Sequence, residues 1–174
     1  MEDLRYPIGQ FEMPQNATPQ DRQQWIKSIE SAPGQLRQAV AGLTEEQLDT
    51  PYRPEGWTIR QVVHHIADSH LNGYVRTKWT LTEDNPAIKV YDQALWAESP
   101  EARTGNVELS LPLLESLHRR WSEVLHSFEP DTWSRTFQHP QWDDVSLDVN
   151  VALYVWHGAH HIAHITTLRE RMGW

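Results

Sequence analysis

Residues 154–164 read Tyr154-Val155-Trp156-His157-Gly158-Ala159-His160-His161-Ile162-Ala163-His164, so four of the ten histidines in this 174-residue chain fall within eight positions. Side chains three and four apart share a helix face, which makes His157 and His161 neighbours and His160 and His164 a second such pair. At about 100° per residue, Leu153, His157, His161, His164 and Leu168 fall in one narrow sector. A stripe that is apolar at both ends and imidazole in the middle predicts a polar site inside a core. Protonatable rings facing a core are costly unless something compensates, and a bound cation does so. Two imidazoles at i, i+4 can reach one metal ion. Spacing alone does not choose between the two pairs.

Working outward, this last helix is predicted from about Leu147 to Met172, stopping at Gly173. A third long helix is predicted over 110–128, with Leu111, Leu114, Leu117, Trp121, Val124 and Leu125 at helical spacing and Pro112 in its first turn. Between them, residues 129–144 are rich in turn formers, and 137–142 facing 145–147 suggest a small hairpin. Thr58-Ile59-Arg60-Gln61 caps a second long helix over 58–82. Residues 83–108 form a long connection with a helical turn near 92–96; a loop of this length crosses a bundle or lids a site. Thr18-Pro19 opens a first helix reaching about Leu43, in which Pro33-Gly34 predicts a kink or break. Thr44-Glu45-Glu46-Gln47 caps a short helix that ends before Pro51. Residues 1–17 read as an extended arm, with Tyr6 and Phe11 either packed across the bundle or a dimer, or on a loose terminus. The pattern is all-α: a four-helix bundle with a long crossover connection, in a single domain over 1–174.

Composition narrows the function. The formal net charge is −9 with histidines neutral, which argues against a broad grip on nucleic acid or an anionic membrane. No cysteine is present, which excludes disulfides, zinc-thiolate sites and cysteine nucleophiles. The start lacks the basic and apolar blocks of a signal peptide, and no apolar run approaches the roughly 18 residues of a membrane span. A cytoplasmic protein acting on a small molecule is expected.

A third ligand should come from another helix. The second helix offers His64, His65 and His70. His65 shares a polar stripe with Gln61, Asp68, Ser69, Asn72 and Arg76. That stripe is either a solvent face or the lining of a pocket around the metal, with Asp68 one turn away and able to orient His65. His64 points about 100° elsewhere and cannot do the same job. His118, His126 and His139 are isolated and receive no role. Histidine ligands without a carboxylate leave an open coordination position, normally holding water. Nitrogen ligands select weakly among zinc, nickel, cobalt and iron.

Two segments carry a family resemblance. Trp57-Thr58-Ile59-Arg60-Gln61-Val62-Val63-His64-His65-Ile66-Ala67-Asp68 resembles the second-helix signature of the DinB-like superfamily, and the 156–164 segment resembles its last-helix signature. Tyr6-Pro7-Ile8-Gly9, Leu48-Asp49-Thr50-Pro51-Tyr52-Arg53 and Arg171-Met172-Gly173-Trp174 are similar to the YfiT group of metal-dependent hydrolases from bacilli. The resemblance covers essentially the whole chain. It implies a DinB-like four-helix bundle and a metal held by His65, His157 and His161, with His160 and His164 as extra histidines beside the site. It also implies zinc or nickel and a homodimer, with which exposed aromatics such as Trp142 are compatible. Related members transfer thiols such as bacillithiol to electrophiles.

Two activities follow. A hydrolase would use metal-bound water and needs a proton acceptor, for which His160, His164 and Asp68 are the candidates. Gly158 stands where zincin-type helices carry a glutamate, which weakens a protease reading. A thiol S-transferase would hold a thiolate at the open position, with Asn72 and Arg76 as candidates to bind a carboxylate or sugar of the thiol. A metal sensor or storage protein is a third reading, and a single open site argues against storage.

Overall fold

The protein was analysed as a computed structural model describing residues 4–174; the first three residues of the arm lie outside the described residues. Its long helices are α1 (Pro19–Val40), α3 (Ile59–Thr82), α6 (Ser110–His126) and α7 (Leu147–Met172), with a short α2 (Glu45–Leu48) between the first two. Residues 83–108 contain α4 (Gln93–Ala97) and α5 (Pro100–Thr104), and a two-stranded hairpin, β1 (Thr136–His139) and β2 (Asp143–Ser146), precedes α7. Among the described residues, no helix is long and apolar enough to cross a membrane.

Local chemistry sets the helix starts. Thr18, Thr44 and Thr58 each accept from the backbone N–H three residues on, while Asp21, Gln47 and Gln61 reach back to the cap backbone. Each exchange satisfies two of the donors that a helix start leaves unpaired. Gly173 ends α7 at φ +71°, a left-handed position that suits glycine.

Packing then arranges the four long helices. α1 lies against α6 and α7, and so does α3. Helices α1 and α3 therefore face across one diagonal, and α6 and α7 across the other. Trp121, Leu114, Ile29, Leu36, Ile66 and Ile165, each at most 1% exposed, fill the space between them. The fold is a four-helix bundle, as the sequence predicts; the two short strands do not alter its class.

Three details differ from the sequence expectations. The break at Pro33-Gly34 is absent: α1 is one continuous helix with Pro33 buried inside it. Proline removes the N–H that the Ile29 carbonyl would otherwise accept, and the imidazole of His118 on α6 lies 2.6 Å from that carbonyl. The 83–108 connection holds two short helices rather than one turn, and both pack on α3. Gln61 Nε2 donates to the Ala97 carbonyl at 2.8 Å, so this connection roofs the polar stripe of α3. The hairpin pairs Thr136 with Ser146 and His139 with Asp143, and Leu147 opens the helix instead of extending the strand.

The arm from Arg5 to Phe11 packs on α7 of its own chain. Trp156 Nε1 donates to the Gly9 carbonyl at 3.2 Å, and the Phe11 and Trp156 rings lie 5.9 Å apart. One close approach is specific to a glycine. A Cβ at Gly73 would overlap the ring of Tyr154, which lies flush on the α3 backbone. Gly73→Ala is expected to destabilise the protein by about 1–3 kcal/mol, read as a lower urea midpoint, because the ring has to be displaced within a packed core.

Candidate metal centre

The α3 stripe and the α7 stripe meet on one side of the bundle. There, one nitrogen from each of His65, His157 and His161 falls within 4.8 Å of the other two. His65 Nε2 and His157 Nε2 are 3.1 Å apart. Two ligands of a tetrahedral ion with bonds of roughly 2.0–2.1 Å would stand about 3.3 Å apart, so the spacing fits one shared ion. No carboxylate belongs to this group among the described residues.

Burial keeps these rings neutral. It pushes the pKa of His65 down to about 4. Burial, and then the neighbouring imidazoles, hold His157 and His161 well below the usual range. A neutral imidazole presents the lone pair that a metal needs. The donor set therefore suits a divalent ion that accepts nitrogen ligands, and it leaves room for further ligands.

Two clefts open at the centre. One, of about 460 Å³, is lined by Tyr6, Tyr52, Arg53, Trp57 and the histidines of both stripes. The other, of about 700 Å³, is lined by Ser69, Arg76, Tyr91, His139, Trp142 and Tyr154 and shares His157 and Gln93 with the first.

Known proteins resemble this chain in both sequence and fold. The sequence pattern of the DinB superfamily matches residues 28–165, which includes all three histidines. This chain belongs to the DinB superfamily. Among its DinB relatives, a protein of Bacillus mycoides is 50% identical over the full length of both chains and carries the name "Putative metal-dependent hydrolase". A Bacillus cereus protein of the same name is 51% identical, again over both full lengths. The structure superimposes on YfiT from Bacillus subtilis with a TM-score of 0.96, at 46% identity and 99% coverage of each chain. YfiT is described as a probable metal-dependent hydrolase with an unusual four-helix bundle topology. TT2238, described as a four-helix bundle protein, shares the fold at a TM-score of 0.56 and 19% identity, covering 81% of this chain and 94% of its own.

Within this DinB bundle, the remaining sequence candidates separate by position. His64 is turned away from the centre: its Nδ1 lies 2.7 Å from Ser110 Oγ and its Nε2 3.2 Å from the Gly105 carbonyl. His160 is buried against the first cleft, stacked on Trp156 with centroids 4.4 Å apart, and its Nδ1 has no hydrogen-bond partner. His164 has both nitrogens engaged. Its Nε2 donates to the Arg5 carbonyl at 3.1 Å, and its Nδ1 lies 3.3 Å from His161 Nδ1. Its ring stacks on Tyr52 at 3.9 Å.

On α3, Asp68 lines neither cleft and makes no hydrogen bond to His65. Its carboxyl pKa is raised to about 6, by burial and then by Glu101. Asn72 bonds the Asp68 carbonyl of its own helix at 2.9 Å and lines neither cleft. Arg76 does line the second cleft. It is 8% exposed, bonds Tyr154 Oη at 3.3 Å, and leaves Nε buried without a partner. No carboxylate pairs with it among the described residues.

Some residues at the centre carried no expected role. The Trp57 ring packs 4.7 Å from His65 and 6.4 Å from His161. Ser69 Oγ lies 3.4 Å from His157 Nε2. His70 Nε2 lies 3.2 Å from His157 Nδ1. Ser69 lies on the polar stripe that helical periodicity already marks as a possible pocket lining. No spacing in the sequence links His70 to His157.

Proposed function

We propose that this protein is a metal-dependent hydrolase of a small-molecule substrate, with His65, His157 and His161 holding one zinc or nickel ion. The observation that carries this reading is the convergence of three neutral imidazole nitrogens, with no carboxylate among them, where two clefts meet. An ion held there would polarise a substrate carbonyl and make bound water more acidic. The chain's own residues supply the rest. Trp57 packs on His65 and Tyr52 on His164, and together they wall one side of the first cleft. His160 is the proton acceptor favoured by position, because its ring borders the cleft beside the three ligands. His164 is tied to Arg5 and His161, and Asp68 lines neither cleft.

A second reading, thiol S-transfer with a thiol such as bacillithiol, is supported by Arg76. A buried guanidinium without a carboxylate partner is poised for an anionic group, and low-molecular-weight thiol cofactors carry carboxylates. The two readings separate in a paired assay on metal-loaded protein, following ester and amide cleavage alongside conjugation of bacillithiol to a chlorobimane. Metal-dependent thiol consumption without hydrolysis would eliminate the hydrolase. Hydrolysis indifferent to thiol would eliminate the transferase.

Under either reading Arg76→Met is expected to raise KM for a substrate bearing a carboxylate by about 10- to 100-fold, the value of a charge-assisted hydrogen bond. Neutral substrates should be turned over as before. Equal effects on charged and neutral substrates in steady-state kinetics would remove Arg76 from substrate binding.

A further inference from the structure

A chain of hydrogen bonds crosses the bundle and uses one residue from each long helix. It begins at the Ile29 carbonyl in α1, the group that Pro33 leaves without a helical donor. His118 Nδ1 on α6 lies 2.6 Å from that oxygen. His118 Nε2 lies 2.8 Å from His70 Nδ1 on α3, and His70 Nε2 lies 3.2 Å from His157 Nδ1 on α7. His70 and His118 are 0% and 1% exposed, so water does not interrupt the chain.

The direction of every bond follows from its first member. A carbonyl only accepts, so His118 Nδ1 carries a proton. In a neutral ring Nε2 is then bare and must accept, which places a proton on His70 Nδ1. By the same step His70 Nε2 accepts from His157 Nδ1–H. His157 is left with its proton on Nδ1 and a free lone pair on Nε2, the nitrogen that faces His65. All three rings are driven into the Nδ1–H form, the less populated tautomer of an unconstrained imidazole. Burial supports neutrality along the chain: it lowers the pKa of His118 to about 4 and that of His70 well below the usual range. Gly158 permits the approach, because a Cβ there would lie 3.3 Å from His70 Cε1.

We propose that His118 and His70 are positioning residues that hold His157 in its metal-binding tautomer, with the Ile29 carbonyl freed by Pro33 as the anchor. Metal-ligating histidines commonly donate their second N–H to a carboxylate or carbonyl; here that partner is an imidazole, and the carbonyl stands two rings away on the opposite side of the core. The inference rests on reading His157 as a ligand, and its test separates the two claims.

Long-range ¹H–¹⁵N correlation on metal-free, ¹⁵N-labelled protein reports which ring nitrogen of each histidine carries the proton. The expected spectrum shows Nδ1–H at His157, His70 and His118. In His118→Leu, His70 loses its acceptor, His157 gains Nε2–H character, and zinc affinity measured by chelator competition falls by about 10- to 100-fold. His118→Gln, whose amide carries both a donor and an acceptor, is expected to restore the wild-type tautomer and affinity within a few-fold. Nε2–H at His157 in the wild-type protein would overturn the proposal, and that measurement stands even if His118→Leu fails to fold. A folded His118→Leu with unchanged His157 signals and zinc affinity would overturn it equally. Nδ1–H at His157 in a protein that binds no zinc would uphold the relay and defeat only the ligand reading.

Discussion

Loss of stoichiometric metal is the expected result for each of His65→Ala, His157→Ala and His161→Ala, read by elemental analysis after dialysis of folded protein. The three nitrogens lie within 4.8 Å of one another and come from two helices, so removal of any one leaves two neutral donors and no carboxylate. The loss should exceed the roughly 10- to 100-fold that removal of an outer partner costs, and metal-dependent turnover should vanish with it. His64→Ala is the control. Its ring sits against Ser110 and the Gly105 carbonyl, and this variant should retain full stoichiometry. Full occupancy in any of the three variants would strike that residue from the ligand set, and metal loss in His64→Ala would point instead to a general loss of the bundle.

Metal-free protein is expected to lose much of its stability between pH 6.5 and about pH 4. The buried rings of His118 and His65 titrate near 4 in the fold, against about 6.5 in an unfolded chain. Between those values the unfolded state binds more protons than the folded state, so stability falls as pH falls through the window. Above 6.5 both states are neutral at these groups and the effect is absent. A depression of this size costs about 3 kcal/mol per histidine once fully expressed. Two such residues approach the roughly 5–15 kcal/mol that stabilises a typical domain. Urea unfolding followed at a series of pH values checks this, and the His118→Leu variant should show a shallower slope because one of the titrating groups is gone. Stability unchanged from pH 7 to pH 5 would contradict the neutral, buried state of these rings.

Much of the architecture was legible because it depends on local chemistry. The threonine caps with Asp21, Gln47 and Gln61 in the third helical position announce three helix starts, and Gly173 announces an end. The apolar spacing from Leu111 to Leu125 marks the buried face of α6. At Pro33 the local rule misled. Its cost is real within an isolated helix, but the lost hydrogen bond is replaced from α6, by a residue 85 positions later in the chain. The second helix inside residues 83–108 was missed for a related reason: Pro100 reads as a breaker, yet it occupies the first turn of α5, where a proline costs nothing.

The site divides in the same way. The sequence by itself determined that four imidazoles share one side of the last helix and that His65 sits on a polar stripe of another, because helical period is a property of the chain. It could not say whether that stripe met solvent or a core, which i, i+4 pair met it, or whether His70 and the isolated His118 had a task. Those answers required the helices to be in place. The roof formed by residues 83–108 buries the α3 stripe, and the crossing of α3 with α7 brings His65 to His157 and His161. The tie to Arg5 occupies His164. His70 and His118 acquire partners only in the packed bundle, because a hydrogen bond between distant residues depends on tertiary distance, which no local pattern in the chain records.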